Sequence, residues 1–75
     1  MTLEGFVKAF AAEFEETAIE LFTPKTVYKE LDEWSSLTVL SIIAIVDEEF
    51  EKSITGADLR ACNSIEDLYN LVQSK

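Results

Sequence analysis

The residues that could do chemistry in this chain are its serines, its single cysteine and its many carboxylates. The 75 residues include no histidine, which is the base that most often activates a serine nucleophile. Aspartates and glutamates are plentiful, but none is set among apolar residues as an acid–base catalyst usually is. We therefore expect no self-sufficient catalytic set. If one of the serines is functional, and Ser36 is the candidate described next, we expect another enzyme to activate it.

Ser36 lies at the start of a dense apolar stretch that ends in acid. Aliphatic residues recur at helical spacing from Leu37 onward, which predicts a helix from about Ser36 to Phe50. Apolar side chains from Ile42 to Val46 surround this helix almost completely. It is therefore either the centre of a small bundle or a helix that offers a second apolar face to a partner. Its first turn favours an anionic group, because free backbone N–H groups and the positive end of the helix dipole lie there.

The segment Ser35–Leu37, followed by an apolar helix that ends in Asp47–Phe50, resembles the acyl carrier protein family. In that family the motif is Asp-Ser-Leu, and the serine carries a 4′-phosphopantetheine arm derived from coenzyme A. Ser36 is the position that matches this serine, whereas Ser35 stands where the family usually has Asp. The resemblance covers most of the chain, from the first helix through Val72, although the motif itself is short.

The resemblance implies a non-catalytic carrier that holds an acyl intermediate as a thioester on the arm, in fatty-acid, polyketide or related specialised biosynthesis. Its partners would be a phosphopantetheinyl transferase and acyl-transfer or synthase enzymes with basic docking patches. The residues implied to contact these partners are Leu37, Asp47, Glu48 and Glu49. Thr38 and Ser41 stand where the family often has acids, so the charge near Ser36 is thinner and a specialised carrier is expected.

The family also implies an interior that can open between helices and shield the acyl chain. Aliphatic residues of the second helix and of the segments after it are the candidates to line this pocket, and ordinary core packing explains the same residues equally well. These pocket candidates are Leu40, Ile42, Ile43, Val46, Ile54, Ile65 and Leu68.

Other interpretations of Ser36 are open at this level. Serine is common at helix starts because it caps free N–H groups, and either Ser35 or Ser36 could take this role. With Ser35 in place of Asp, the chain could be an unmodified carrier-fold module for protein interaction. It could also be a peptidyl or aminoacyl carrier, which would differ only in its cargo.

Composition limits the class of protein and its partners. Fifteen acids against six bases give a net charge of −9, which disfavours nucleic acid as a partner and favours basic docking surfaces. The length predicts one domain, residues 1–75, and the single cysteine excludes an internal disulfide. We find no signal-peptide pattern and no stretch long enough to span a membrane. We expect a monomeric cytoplasmic protein.

The first part of the chain predicts a helix and a long ordered connection. Helix one should cover about residues 3–15, with Thr2 as its N-cap, because its apolar residues form one core-facing stripe: Leu3, Phe6, Val7, Phe10 and Phe14. Residues 16–33 form the connection, with a short helical turn near residues 26–31. We expect its apolar residues to pack on the bundle: Ile19, Leu21, Phe22, Val27, Tyr28 and Leu31. Trp34 should pack where the second helix begins.

Two capping boxes mark the remaining helices. Thr55 and Ser64 are each followed three residues later by an acid, which predicts a short third helix over about 57–61 and a fourth from Ile65 to Gln73. Cys62 should be a small buried hydrophobe. No strand signal occurs, so the predicted fold class is all-α. Three principal helices, one short helix and a long loop between helices one and two form the small four-helix bundle that the acyl carrier resemblance implies.

Overall fold

The chain folds into helices that are joined by one long connection and two short ones. The computed structural model describes residues 2–75, and the helices in that range are α1 (Leu3–Ala11), α2 (Ser36–Phe50), α3 (Gly56–Ala61) and α4 (Ile65–Gln73). Two 3₁₀ turns, Ile19–Leu21 and Tyr28–Glu30, lie within the long connection. Residues 2–75 contain no strand, and Val27 and Ser64 form one isolated antiparallel bridge. The predicted all-α class is confirmed.

The helices begin at the side-chain caps that the sequence predicts. Thr2 Oγ1 accepts a 3.0 Å hydrogen bond from the backbone amide of Gly5. Thr55 and Ser64 accept from the amide three residues later, and the acid at that position accepts from the cap's own amide in return. These reciprocal bonds satisfy two of the donors that a helix start leaves unpaired. They fix the starts of α3 and α4, with α3 beginning at Gly56, one residue earlier than predicted.

Helix α1 ends at Ala11, although the apolar stripe predicts a helix to about residue 15. The amides of Glu13 and Phe14 bond to carbonyls three residues back, at 3.2 and 3.0 Å, so the chain tightens into a 3₁₀-like turn. Acidic residues follow this point, and negative charge is unfavourable at the negative end of the helix dipole. Phe14 is buried nonetheless, because the turn keeps it on the core side.

The core is apolar, and aromatic rings form the part that lies beside the start of α2. The Trp34 ring centroid lies 4.8 Å from that of Tyr28, 6.4 Å from that of Phe10 and 6.5 Å from that of Phe14. Trp34 therefore packs where α2 begins, as predicted. The buried residues of the core are Phe6, Val7, Phe10, Ala11, Phe14, Phe22, Tyr28, Ile42, Val46, Ile54, Leu59, Cys62, Ile65, Leu68 and Val72.

The long connection anchors itself through only part of its apolar residues. Phe22 and Tyr28 are buried, as predicted, but Ile19 is 63% exposed, Leu21 is 60% exposed and Val27 is also exposed. The prediction that all of them pack on the bundle is therefore wrong for these three. A three-residue 3₁₀ turn spreads its side chains around its axis, so the turn at Ile19–Leu21 presents aliphatic groups to solvent while the next residue, Phe22, reaches the core.

Two residues of the second 3₁₀ turn cap the carboxyl end of α3. The Tyr28 hydroxyl donates to the carbonyls of Leu59, at 2.5 Å, and Cys62, at 3.1 Å. The Lys29 ammonium donates to the carbonyl of Arg60 at 2.8 Å. The last carbonyls of a helix have no partner within the helix, so the connection supplies the donors that a helix as short as α3 lacks.

Candidate functional site

Ser36 is the first residue of α2, and its side chain is exposed. The capping role falls to Ser35, which has extended backbone geometry and whose hydroxyl accepts from the Thr38 amide at 3.5 Å. Thr38 Oγ1 accepts from the Ser35 amide at 2.6 Å and completes the capping box. The Ser36 hydroxyl makes no hydrogen bond to any of residues 2–75. Of the two serines, Ser36 is thus the one that is available to react.

The segment before α2 is held by a carboxylate that bridges two distant parts of the chain. Glu33 Oε1 accepts from the backbone amides of Glu16 and Thr17 and from the Thr17 hydroxyl. The hydrogen bond from the Thr17 hydroxyl, and to a smaller extent those from the backbone amides, lower the pKa of Glu33 below its ordinary value. Thr38 Oγ1 also reaches the Glu33 carbonyl at 3.3 Å. The start of α2 is therefore fixed from both sides.

The electrostatic setting of Ser36 suits an attached phosphate. The first turn of α2 contains no acidic residue. The Glu33 carboxylate, which precedes the helix, stays charged and is held by its hydrogen bonds to Glu16 and Thr17. The helix start itself contributes partial positive charge and unpaired N–H groups. A phosphodiester on the Ser36 oxygen would thus meet attraction from the helix without repulsion from its first turn.

Helix α2 packs one side against the core and leaves the opposite side to solvent. Ile42 and Val46 are its buried residues, and Val39, Ile43, Ile45 and Phe50 are partly buried against the core. The side chains on the opposite side are exposed and form what we call the outward face of α2: Leu37, Leu40, Ala44, Asp47 and Glu48. The sequence allowed two interpretations of this helix, the centre of a bundle or a helix with a second face for a partner. The structure shows the second, a helix with an unpartnered face. That face is apolar beside Ser36 and acidic about 16–18 Å further along the helix, at 1.5 Å per residue.

The residues expected to contact partners are all exposed to solvent. Leu37 is 75% exposed, and Asp47, Glu48 and Glu49 are exposed in the last turns of α2. The last turn of α2 contains no basic residue, and Glu51 follows it with a left-handed backbone, φ 55°. Negative charge at the carboxyl end of a helix is unfavourable because of the helix dipole, so these acids do not stabilise α2.

The pocket candidates divide between the core and the surface. Ile42, Val46, Ile54, Ile65 and Leu68 are buried, and Ile43 is half-buried and packs against them. Leu40 is 62% exposed on the outward face of α2, so its prediction as an interior residue is wrong. Because successive helical residues rotate by about 100°, Leu40 lies roughly opposite Ile42. The role of the six inward residues as an acyl pocket stays a prediction.

The structure also contains two open clefts that the sequence did not predict. One of about 640 Å³ lies between α1 and the long connection, and one of about 600 Å³ lies within the connection. Neither is lined by any of the pocket candidates. Ile19 lines the first cleft. The only feature of the sequence that pointed to this residue was the connection in which it lies, which is too apolar for a linker.

Residues 2–75 show neither a reactive cysteine nor a metal cluster. Burial raises the pKa of the Cys62 thiol, and the carboxylates of Asp67 and Asp58 raise it further, so this cysteine is a buried hydrophobe rather than a reactive group. No group of three potential metal ligands comes together in this range. No helix there is both long enough and apolar enough to cross a membrane.

Comparison with known proteins returns no match. Neither a protein-family model, nor a curated protein, nor a solved structure matches this chain. What the chain does is therefore inferred from its residues and their geometry.

Proposed function

We propose that this chain is an acyl carrier protein whose Ser36 is the attachment point of a 4′-phosphopantetheine arm. The observation that carries this proposal is that two adjacent serines have different roles at the helix start. Ser35 caps α2, and Ser36 is left exposed at the helix start with its hydroxyl unbonded within residues 2–75. A serine that served only as a cap would have its hydroxyl turned back onto the helix amides.

The position of Ser35 gives a physical account of its departure from the family motif. Aspartate and serine are about equally good N-caps, because each accepts from an amide of the first turn. Ser35 occupies this position and forms its bonds. The change from Asp to Ser therefore preserves the structure of the helix start and removes one negative charge beside Ser36. This lost charge is the part of the motif that would concern recognition by partners.

The order of the helices agrees with the proposed carrier fold. Three longer helices and the short α3 follow one another with a long connection after α1, as the resemblance implies. The outward face of α2 begins beside Ser36 and offers Leu37 to an apolar pocket of a partner. Asp47, Glu48 and Glu49 lie further along to meet basic residues, and such complementary charge speeds encounter and fixes orientation.

The chemistry of the carrier is divided between the arm and the protein. The arm, when attached, supplies a terminal thiol that holds an acyl group as a thioester. The Ser36 oxygen would bond to the phosphorus next to the pantetheine arm as the phosphoanhydride bond of coenzyme A breaks; the Ser36 proton passes to the modifying enzyme, and adenosine 3′,5′-bisphosphate leaves. The chain has no histidine to assist this step, and we assign the base to the transferase. The inward pocket candidates are the residues that would separate to admit an acyl chain, namely Ile42, Ile43, Val46, Ile54, Ile65 and Leu68.

A second candidate is an unmodified interaction module, and the missing charge at position 35 favours it. In this case the outward face of α2 would bind a partner without any arm. The structure would be the same, since Ser36 needs no modification to keep its place as the first helical residue. The two candidates differ in whether the Ser36 oxygen becomes a phosphodiester.

Intact mass separates the two candidates. The wild-type protein is incubated with coenzyme A and a broad-specificity phosphopantetheinyl transferase, beside Ser36→Ala and a matched control, Ser53→Ala, which changes another exposed serine. A gain of one phosphopantetheine in the wild type and in the control, with none in Ser36→Ala, is the expected result. A gain in Ser36→Ala would refute the assignment of the site.

A wild-type chain that gains nothing calls for Ser35→Asp under the same conditions. Modification of this variant would show that the transferase requires an acid before Ser36. Its failure as well would favour the unmodified module. Because Asp is a good N-cap, circular dichroism of Ser35→Asp should match the wild type, which excludes loss of structure as the reason.

A further inference from the structure

An apolar groove lies between α1 and the long connection, on elements separate from α2. We call this cleft of about 640 Å³ the α1 groove. Its apolar lining is Leu3, Val7, Ala11, Ile19, Phe22 and Pro24. Glu4, Lys8 and Thr23 supply its polar atoms. Grooves of this size and composition commonly bind ligands or partner side chains.

The α1 groove has a buried floor, yet one of its aliphatic residues has nothing packed over it. Val7, Ala11 and Phe22 are buried and form this floor. Ile19 is 63% exposed within a 3₁₀ turn that Phe22 anchors to the core. The neighbouring Leu21 is 60% exposed as well and lines the second cleft. Two exposed aliphatic residues within three positions form an apolar edge that a partner could cover.

Charge determines which kind of partner could cover it. The charged residues that line the α1 groove are Glu4 and Lys8. The segment that joins its two walls adds Glu13, Glu15 and Glu16, and Glu20 follows Ile19. Lys25, next to Pro24, is paired with Glu66. Lys8 already lies 3.7 Å from Glu4 as an exposed ion pair. A second copy of this chain would bring another −9 of charge to the surface, and an anionic membrane would be repelled in the same way. A cationic partner is the complementary one.

We propose that the α1 groove binds an amphipathic helix of a partner protein, with aliphatic anchors on one side and lysine or arginine beside them. The anchors enter the groove against Val7 and Ile19, and the cations meet the exposed Glu20 and compete with Lys8 for Glu4. This is the helix-in-groove mode of recognition, in which residues at i, i+3, i+4 and i+7 fill an apolar cleft. Because the lining includes no residue of α2, binding is independent of any modification at Ser36.

The test uses three synthetic peptides of about 15 residues, a length at which an amphipathic helix becomes favourable. The first has leucines at i, i+3, i+4 and i+7 spacing with lysines elsewhere. The second has glutamates in place of the lysines. The third has the composition of the first in an order that breaks the apolar face. Affinity is measured by fluorescence anisotropy near physiological ionic strength, and the bound surface is mapped by chemical-shift changes of the ¹⁵N-labelled full chain.

Only the first peptide is expected to bind well, with shift changes at Val7, Ala11 and Ile19. Ile19→Ser should weaken this peptide roughly tenfold, since burial of one aliphatic side chain is lost. Val27→Ser is the control, because Val27 is also exposed but lines neither cleft; it should bind as the wild type does. Leu40→Ser, on the outward face of α2, reports any binding at that surface instead. All three variants change exposed side chains, so all should fold.

Three results would overturn the proposal. Equal binding of the first and third peptides would show that charge alone attracts them. Shift changes confined to α2, with weakening by Leu40→Ser and not by Ile19→Ser, would place the binding surface on the outward face of α2. Absence of binding by the first peptide at millimolar concentration would show that the α1 groove does not accept a cationic amphipathic helix.

Discussion

Tyr28→Phe isolates the contribution of one hydroxyl that ties the long connection to α3. Tyr28 is completely buried, and its hydroxyl donates to the carbonyls of Leu59 and Cys62. Phenylalanine keeps the ring and its contacts with Trp34 and Phe10, so the change opens no cavity. What it removes is the donor for two carbonyls at the end of a helix.

The expected loss of stability follows from the cost of leaving buried acceptors unpaired, about 1–3 kcal/mol. We predict that Tyr28→Phe lowers the free energy of unfolding by about 1–2 kcal/mol, within that range. For a domain of this size each kcal/mol corresponds to about 4–8 °C in Tm. Urea denaturation followed by circular dichroism measures the free energy, and thermal denaturation gives Tm. Amide exchange should also become faster in α3, because Tyr28 caps that helix.

Tyr69→Phe is the matched control. The Tyr69 hydroxyl accepts from the Gln73 amide at 2.9 Å in an exposed hydrogen bond. Loss of this bond should cost less than loss of the buried donor at Tyr28, because water can pair with an exposed group. If Tyr28→Phe changes stability no more than Tyr69→Phe does, the capping role of the Tyr28 hydroxyl is refuted.

The same pair of variants has a dependence on pH with a defined sign. Burial raises the pKa of Tyr28 above its ordinary value. A group whose folded pKa is raised stabilises the protein fully below its unfolded pKa, near pH 10, and that contribution is lost as pH rises further. The difference in Tm between wild type and Tyr28→Phe should therefore be constant up to about pH 9–10 and shrink above it. A constant difference to the highest pH tested would contradict this assignment.

Two further predictions concern acids around α2. Glu51→Gly should raise the free energy of unfolding by about 0.5–1 kcal/mol, because Glu51 has φ 55° and glycine adopts this conformation without strain. Glu48→Gly, inside α2, should lower it by about 1 kcal/mol, and urea denaturation that gave both variants the same sign would contradict the explanation. Glu33→Gln should destabilise the fold at neutral pH. The folded pKa of Glu33 is lowered, so its contribution is present above the unfolded pKa near 4.3 and lost as pH falls. Tm measured from pH 6 to pH 3 should fall less steeply in this variant than in the wild type, and parallel curves would exclude this role.

The sequence by itself determined where helices begin and which residue types could react. Thr2, Thr55 and Ser64 cap their helices as predicted, because a cap and the amide that it receives lie within four residues of each other. The bounds of α2 and α4 follow for the same reason of local spacing. The absence of histidine excludes a serine–histidine catalytic pair whatever the fold. These features depend on neighbours in the chain, which a sequence states directly.

Tertiary structure alone decided the direction of Leu40 and the exposure of Ile19. Each depends on which distant segment occupies the space beside it, and apolar character does not specify that. Tyr28 illustrates the point most clearly, because its partners lie more than 30 residues later, at the end of α3. The separate roles of Ser35 and Ser36 depend on a difference of one residue in the helix start. Backbone geometry sets that difference, and either serine had the chemistry to serve as the cap.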